Sequence, residues 1–272
     1  MKFFLSFFLS FLLTPPAFAL DFTDIINKAG EAEKKQAREQ GSDLPVSASE
    51  LEYDLETISG DRLALEGFKR FGLPVENPEL QKYVNLVGNA VARYANCPDN
   101  PLFFVVVESD LFTSFACSGG IIFITSTFIK HMEDESELAG VLGHEIVHSC
   151  HKHLLRSVKG IRLSEDRPLQ DMISHLQAIL FEKGLDQDME YEADASGTEA
   201  VYRTGYDPEG FIRVLKMLET QQSKAVEKGS WFSTHPRVSE RIRKCRENMK
   251  NYPDSAEMAR VKNRFDKKIT TK

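Results

Sequence analysis

The pentapeptide His144-Glu145-Ile146-Val147-His148 constrains this chain more than any other stretch. It lies in a run whose apolar positions Leu138, Val141, Leu142, Ile146 and Val147 follow helical spacing, so residues 133–153 read as one helix. The acidic cluster Glu133-Asp134-Glu135 suits its N-terminal end. Residues four apart on a helix project from one side, a turn apart. Both imidazoles can then reach a single Zn²⁺, and Glu145 can take a proton from water at that ion. By the same periodicity His151 lies near this face and His153 opposite it; neither is read as a ligand.

A hydrolytic zinc site uses three protein ligands and leaves a position open. Glu190 and Glu192 are the candidates for the third, and on a helix they point about 200° apart. Asp194, four residues after Glu190, shares its face and can orient a ligand histidine through the second ring nitrogen. That pairing favours His144, His148 and Glu190 as metal ligands with Asp194 behind them, and turns Glu192 elsewhere. Without the His-Glu-Ile-Val-His stretch, the same acids would read as a solvated helix face. Glu145 is the general base, and an oxyanion donor is also needed. His235, in the loop Trp231–Pro236, is the leading candidate, with Arg241 and Tyr206 behind it; a plain loop histidine is an equal reading of His235.

A net charge of −7 argues against a nucleic-acid binder, which needs a basic face for phosphates. Lys2, the apolar run Phe3–Leu13 and Ala17-Phe18-Ala19 read as a secretory signal peptide over residues 1–19. No later stretch approaches the roughly 20 apolar residues of a membrane span. An exported chain permits disulfides, but its four cysteines, Cys97, Cys117, Cys150 and Cys245, allow three pairings and do not have zinc-site spacing.

Residues 20–50 read as a loosely docked N-terminal arm, 51–250 as the catalytic domain and 251–272 as a solvated Lys-rich tail. Within the domain, residues 51–71 suggest a helix interrupted at Ser59-Gly60, and Asn77-Pro78 opens a second helix. Strands follow at 102–107, about 112–116 and 121–125, with Gly119-Gly120 as the turn between the last two. Ile121–Thr125 is taken as a sheet edge beside the metal cleft, to which an extended peptide can add. Residues 157–187, with the lone His175, form an excursion able to pack over the cleft as a lid. The fold class is α+β: mostly helical and zincin-type, with a small β-sheet beside the active-site helix.

Together, His144–His148, Glu190-Tyr191-Glu192-Ala193-Asp194 and Ser233-Thr234-His235-Pro236 with Arg241-Ile242 resemble the gluzincin metallopeptidases of the HtpX and CAAX-prenyl-protease type. The likeness extends upstream through Ser114–Gly120 and Glu135–Gly143, covering about residues 60–245. Ser114 stands where the family usually has Asn, and Ser118 where it has Pro. With no span expected and a signal peptide expected, the chain more closely resembles the periplasmic branch of BepA and LoiP than the multi-span membrane members. The resemblance implies one zinc ion per chain on His144, His148 and Glu190, and a cleft strand after the glycine pair. Gly119, Gly120, Ile121, Ile122, Phe123 and Arg241 are accordingly candidate substrate-binding residues. It also implies that His235 lies near the metal, where in some members this histidine caps the zinc.

The function expected is zinc-dependent endoproteolysis of unfolded or misassembled polypeptides in the bacterial periplasm. Peripheral association with outer-membrane assembly machinery is compatible with it. The alternatives are a non-proteolytic chaperone or assembly factor with a capped or structural zinc site, and a zinc hydrolase acting on non-peptide envelope components.

Overall fold

The structure, a computed structural model, describes residues 48–97, 101–158, 168–222, 234–235 and 237–270. The segment expected to be a signal peptide (residues 1–19) and most of the expected N-terminal arm lie outside the described residues. The chain divides into two compact units, Met1–Glu52 and Tyr53–Lys272; apart from the first residues of the first helix, everything described below belongs to the second. Helix α1 (Ala48–Phe71) is continuous through Ser59 and Gly60, against the interruption expected there. Gly60 serves an approach instead. A Cβ on it would stand 2.2 Å from the Ser118 carbonyl oxygen, so glycine lets the helix touch the turn between two strands.

Helix α2 (Pro78–Ala92) starts at Asn77, whose side chain accepts from Leu80 N at 3.0 Å, and Pro78 occupies the first turn. Three strands follow: β1 (Phe103–Val107), β2 (Ser114–Ala116) and β3 (Ile121–Thr125). Their order is β1-β3-β2, with β3 parallel to β1 and antiparallel to β2. Alternate residues face two cores. Phe104, Val106, Ala116, Ile122 and Ile124 join the larger one, whereas Phe115, Cys117 and Phe123 pack with Leu63, Phe71 and Phe181 in the other.

This order overturns the edge reading of Ile121–Thr125. β3 is central, paired on both sides, and Ile122 and Phe123 are fully buried, so none of Ile121, Ile122 and Phe123 offers a free strand to a peptide. The outer edge of β1 is covered as well. Gln81 and Asn85 of α2 bond to the backbone of Phe104 and Val106, and Val75 N donates to Val106 O. Among the described residues β2 is paired to a strand on one side only, and all three of its residues are buried.

Helix α3 (Ser126–Lys130) leads to α4 (Glu135–Cys150), which is buried along nearly its whole length. Asp134 caps α4 by accepting from Ser136 N and Glu137 N. After Lys152, in the left-handed region at φ 53°, the chain restarts as α5 (His153–Ser157). Next come α6 (Pro168–Ala178), a wider turn at Ile179–Lys183, and α7 (Gln187–Thr204). α7 crosses α4 where Gly143 meets Gly197; a Cβ on Gly197 would lie 2.8 Å from the Gly143 carbonyl carbon. That contact brings Glu190 against the histidines.

Helices α8 (Glu209–Gln222), α9 (Val238–Asn248) and α10 (Lys262–Thr270) complete the fold. The segment taken as a solvated tail is docked instead. Phe265 is fully buried in the larger core, and Arg260 and Arg264 pair with Asp134 and Glu135 at the start of α4. Among the described residues no helix is long and apolar enough to cross a membrane.

Candidate metal centre and active site

The two histidines of α4 turn their Nε2 atoms toward each other at 2.9 Å. From α7, Glu190 brings Oε2 to 3.8 Å from His144 Nε2 and Oε1 to 3.5 Å from His148 Nε2. All three residues are buried. Neither Glu190 oxygen has a hydrogen-bond partner; Arg241 Nη1 approaches Oε2 at 2.9 Å without hydrogen-bond alignment. Burial pushes the Glu190 carboxyl well above its ordinary pKa. It also pushes His144 down to about 4, with Arg241 adding to the effect, and His148 well below its ordinary value. A buried carboxylate aimed at two imidazole nitrogens is a costly arrangement unless a cation lies between them. Two imidazoles and one carboxylate are a zinc donor set, so the residues present fit that ion.

Behind the donors, Asp194 Oδ1 lies 3.0 Å from His144 Nδ1. Arg241 donates to Asp194 from Nε at 2.8 Å and from Nη2 at 2.6 Å. Burial opposes ionisation of Asp194, yet Arg241 and His144 hold its pKa at about 2. Arg241 was expected to touch substrate or an oxyanion. It is instead fully buried, its charge committed to Asp194 and Glu190. Tyr206 is likewise remote, donating to Glu135 at the other end of α4.

Glu145 is buried beside the donors, and burial pushes its pKa up to about 7. Ser114 Oγ, on β2, donates to Glu145 Oε1 at 2.7 Å, a role that helical periodicity has no means of indicating. His235 Nε2 stands 3.8 Å from the same oxygen, with Thr234 Oγ1 2.9 Å from its Nδ1. His235 joins His144, His148 and Glu190 in one group of donor atoms within 4.8 Å of one another.

The glycine pair lies apart from this group. Gly119 packs against Glu56 and Thr57 of α1, and Gly120 against Pro101, so both serve the turn rather than a peptide subsite. Glu192 points away from the metal donors and meets His151 Nδ1 at 2.6 Å and His153 Nε2 at 3.3 Å. His153 is the residue that periodicity misplaced. It is fully buried, with Nδ1 2.9 Å from His148 Nδ1. Cys150 and Cys97 form a disulfide that ties the end of α4 to the segment after α2, while Cys117 and Cys245 are free and buried.

A small cavity of about 20 Å³ opens onto Glu145, His148 and His235 between Phe115 and Ala116 of β2 and the segment Ile179–Leu185. It has room for about one water. The described part of the 157–187 excursion therefore packs over the site.

The model of peptidase family M48 matches residues 78–249. The chain belongs to this family. Membership carries the enzyme class, metalloendopeptidase, and the His144–His148 pair fits it. Relatives of this M48 chain include the beta-barrel assembly-enhancing protease of Yersinia pestis, 29% identical over 242 residues, or 79% of this chain and 49% of that one. The protein of the same name from Escherichia coli K12 is 26% identical over 191 residues, 63% and 39% of the two chains. The mitochondrial metalloendopeptidase OMA1 of Schizosaccharomyces pombe is 24% identical over 221 residues, 75% and 65%. The chain thus spans half or less of the length of the two bacterial relatives.

Proposed function

We propose that this chain is a zinc-dependent endopeptidase hydrolysing unfolded or misassembled polypeptides in the bacterial cell envelope. The observation that carries the reading is the convergence of His144, His148 and the unsatisfied Glu190 carboxylate beside buried Glu145. His144, His148 and Glu190 would hold a zinc ion, which would supply a Lewis acid able to polarise a carbonyl and lower the pKa of water. Glu145, with a proton affinity matched to neutral pH, takes the proton from attacking water and returns it to the leaving amine. Ser114 holds Glu145 in place for both transfers. His235 Nε2–H donates to the carbonyl oxygen as negative charge develops there.

The edge of β2 that no strand pairs offers the docking site for an extended peptide once the Ile179–Leu185 segment, which closes the cavity against Phe115 and Ala116, moves aside. In the β2–β3 pairing, Thr113, Phe115 and Cys117 face β3, so alternation turns the backbone groups of Ser114 and Ala116 outward, next to Glu145. The envelope setting is supported by the signal-peptide pattern of residues 1–19 and by relatives whose names refer to β-barrel assembly. Peripheral association with such machinery belongs to the same proposal.

A second reading, a binding protein with a capped zinc site, is favoured by one observation. His235 shares the donor group, and the adjoining cavity admits one water rather than a peptide. Digestion of casein by the zinc-loaded chain, beside Glu145→Gln, separates the two. Cleavage by the wild type alone supports the peptidase. Silence from both, with cleavage appearing in His235→Ala, places the chain under a His235 cap. Equal cleavage by wild type and Glu145→Gln rules out the mechanism.

A further inference from the structure

Next to the metal centre lies a second set of donor atoms within 4.8 Å of one another, on His151, His153 and Glu192. His151 Nδ1 is 2.6 Å from Glu192 Oε1. His153 Nε2 and Arg156 Nη1 lie 3.3 and 3.5 Å from Glu192 Oε2. These residues either hold a second cation or support the first site, and a proton count decides between the two. A neutral imidazole carries one N–H. If His148 offers the Nε2 lone pair to a metal, its proton must be on Nδ1. His148 Nδ1 then donates across the 2.9 Å contact to His153 Nδ1. His153 in turn must carry its own proton on Nε2, the atom facing Glu192, and a protonated nitrogen has no lone pair for a second cation. Arg156 already supplies a positive charge to that carboxylate.

We infer that His153 is the positioning residue for His148: it accepts the Nδ1 proton, fixing that ring's tautomer and rotation, while the Glu192 carboxylate, 3.3 Å from His153 Nε2 without hydrogen-bond alignment, attracts the Nε2–H and favours that tautomer. The inference rests on the metal-centre reading given above. The backbone is built for it. Lys152, at φ 53°, ends one helix and starts another, turning the buried His153 ring back against His148. Each ligand histidine thereby gains its own Nδ1 partner, Asp194 for His144 and the His153–Glu192 pair for His148. Such partners orient the ring and raise its basicity toward a metal.

Zinc affinity, by competition with a chromophoric chelator, and zinc content per chain test this on the wild type, His153→Gln, His153→Leu and Glu192→Ala. Gln and Leu are similar in volume, but only the Gln carbonyl can accept from His148 Nδ1. One zinc per wild-type chain is expected, bound roughly 10- to 100-fold more weakly by His153→Leu and with a smaller loss in His153→Gln and Glu192→Ala. A packing role does not produce that order. Equal affinities in wild type and His153→Leu overturn the inference and leave the metal centre standing. Two zinc ions per wild-type chain, reduced to one by His153→Leu and Glu192→Ala, overturn it in favour of a second cation. A wild type that binds no zinc overturns the metal centre and the inference together. Glu192 is 38% exposed, so Glu192→Ala remains a usable variant if His153→Leu does not fold; an unchanged affinity in Glu192→Ala then counts against the inference.

Discussion

Arg241 and Asp194, 47 residues apart, form a two-pronged ion pair with both side chains almost completely buried, at 2.8 and 2.6 Å. The pair locks α9 to α7 directly behind His144. Asp194 can stay ionised there, orienting the His144 ring, because Arg241 faces it.

Replacing Arg241 by Met leaves that carboxylate without its counter-charge in a dry site. A loss of about 3–5 kcal/mol is expected, because breaking a buried pair from one side strands the other charge. Urea unfolding of the metal-free protein measures it. A loss below about 1 kcal/mol would mean that Asp194 finds a different partner.

The C-terminal segment belongs to the fold. Phe265→Ala should cost about 3–5 kcal/mol by emptying a core position that α10 fills. Thermal and urea melts report it directly. A change within about 0.5 kcal/mol would return residues 251–272 to the status of a solvated tail.

The side-by-side placement of the proposed donor residues was legible because helical phase is a local property. His144 and His148 share a face, Glu190 and Asp194 share another, and Glu192 is out of phase with both; the structure places them accordingly. The α+β class, which family membership also supports, was legible for the same reason. Phase fails where a helix stops. Extending α4 through His153 put that residue on the far side, whereas left-handed Lys152 resets the direction. Strand order is not local at all. Ile121–Thr125 borders the turn, but its partners are chosen by long-range pairing. Its apolar character on both faces was the available sign of a central strand. Gly60 shows the same limit: its local signal is helix breaking, and its role is contact with a residue 58 positions away. Arg241 reads as a candidate for oxyanion or substrate contact in a basic helix, and its burial is explained by Asp194 and Glu190, acids that sequence spacing does not bring to it.

Reduction of Cys97–Cys150 should lower stability by about 4 kcal/mol, taking loop-closure entropy for a sequence separation of 53. The bridge anchors the last residue of α4, two positions beyond His148. Comparing urea midpoints with and without a reductant tests this. Unchanged midpoints would mean that packing alone holds the end of α4.

Acid should weaken the fold through Glu135. Its buried carboxylate accepts from Tyr83 OH at 2.7 Å, from Tyr206, and from Arg264 Nε at 2.7 Å. Burial works against ionisation, but the bonds from Arg264, Tyr206 and Tyr83 outweigh it and hold the pKa below the ordinary 4.5. A pKa depressed by folding contributes stability that is complete above the unfolded value. That stability is lost as pH falls from about 4.5 through the folded pKa, because the unfolded chain binds the proton first. Arg264→Gln removes the chief opposing charge, so it should cost roughly 1–2 kcal/mol near neutrality, discounted because the Arg264 side chain is 57% exposed. The gap between wild type and variant should then close as pH falls, since protonation of Glu135 removes the charge that Arg264 served. Unfolding free energies of both proteins across the acid range test the sign. A gap that stays constant with pH would mean that Arg264 stabilises by packing its stem and not through its charge.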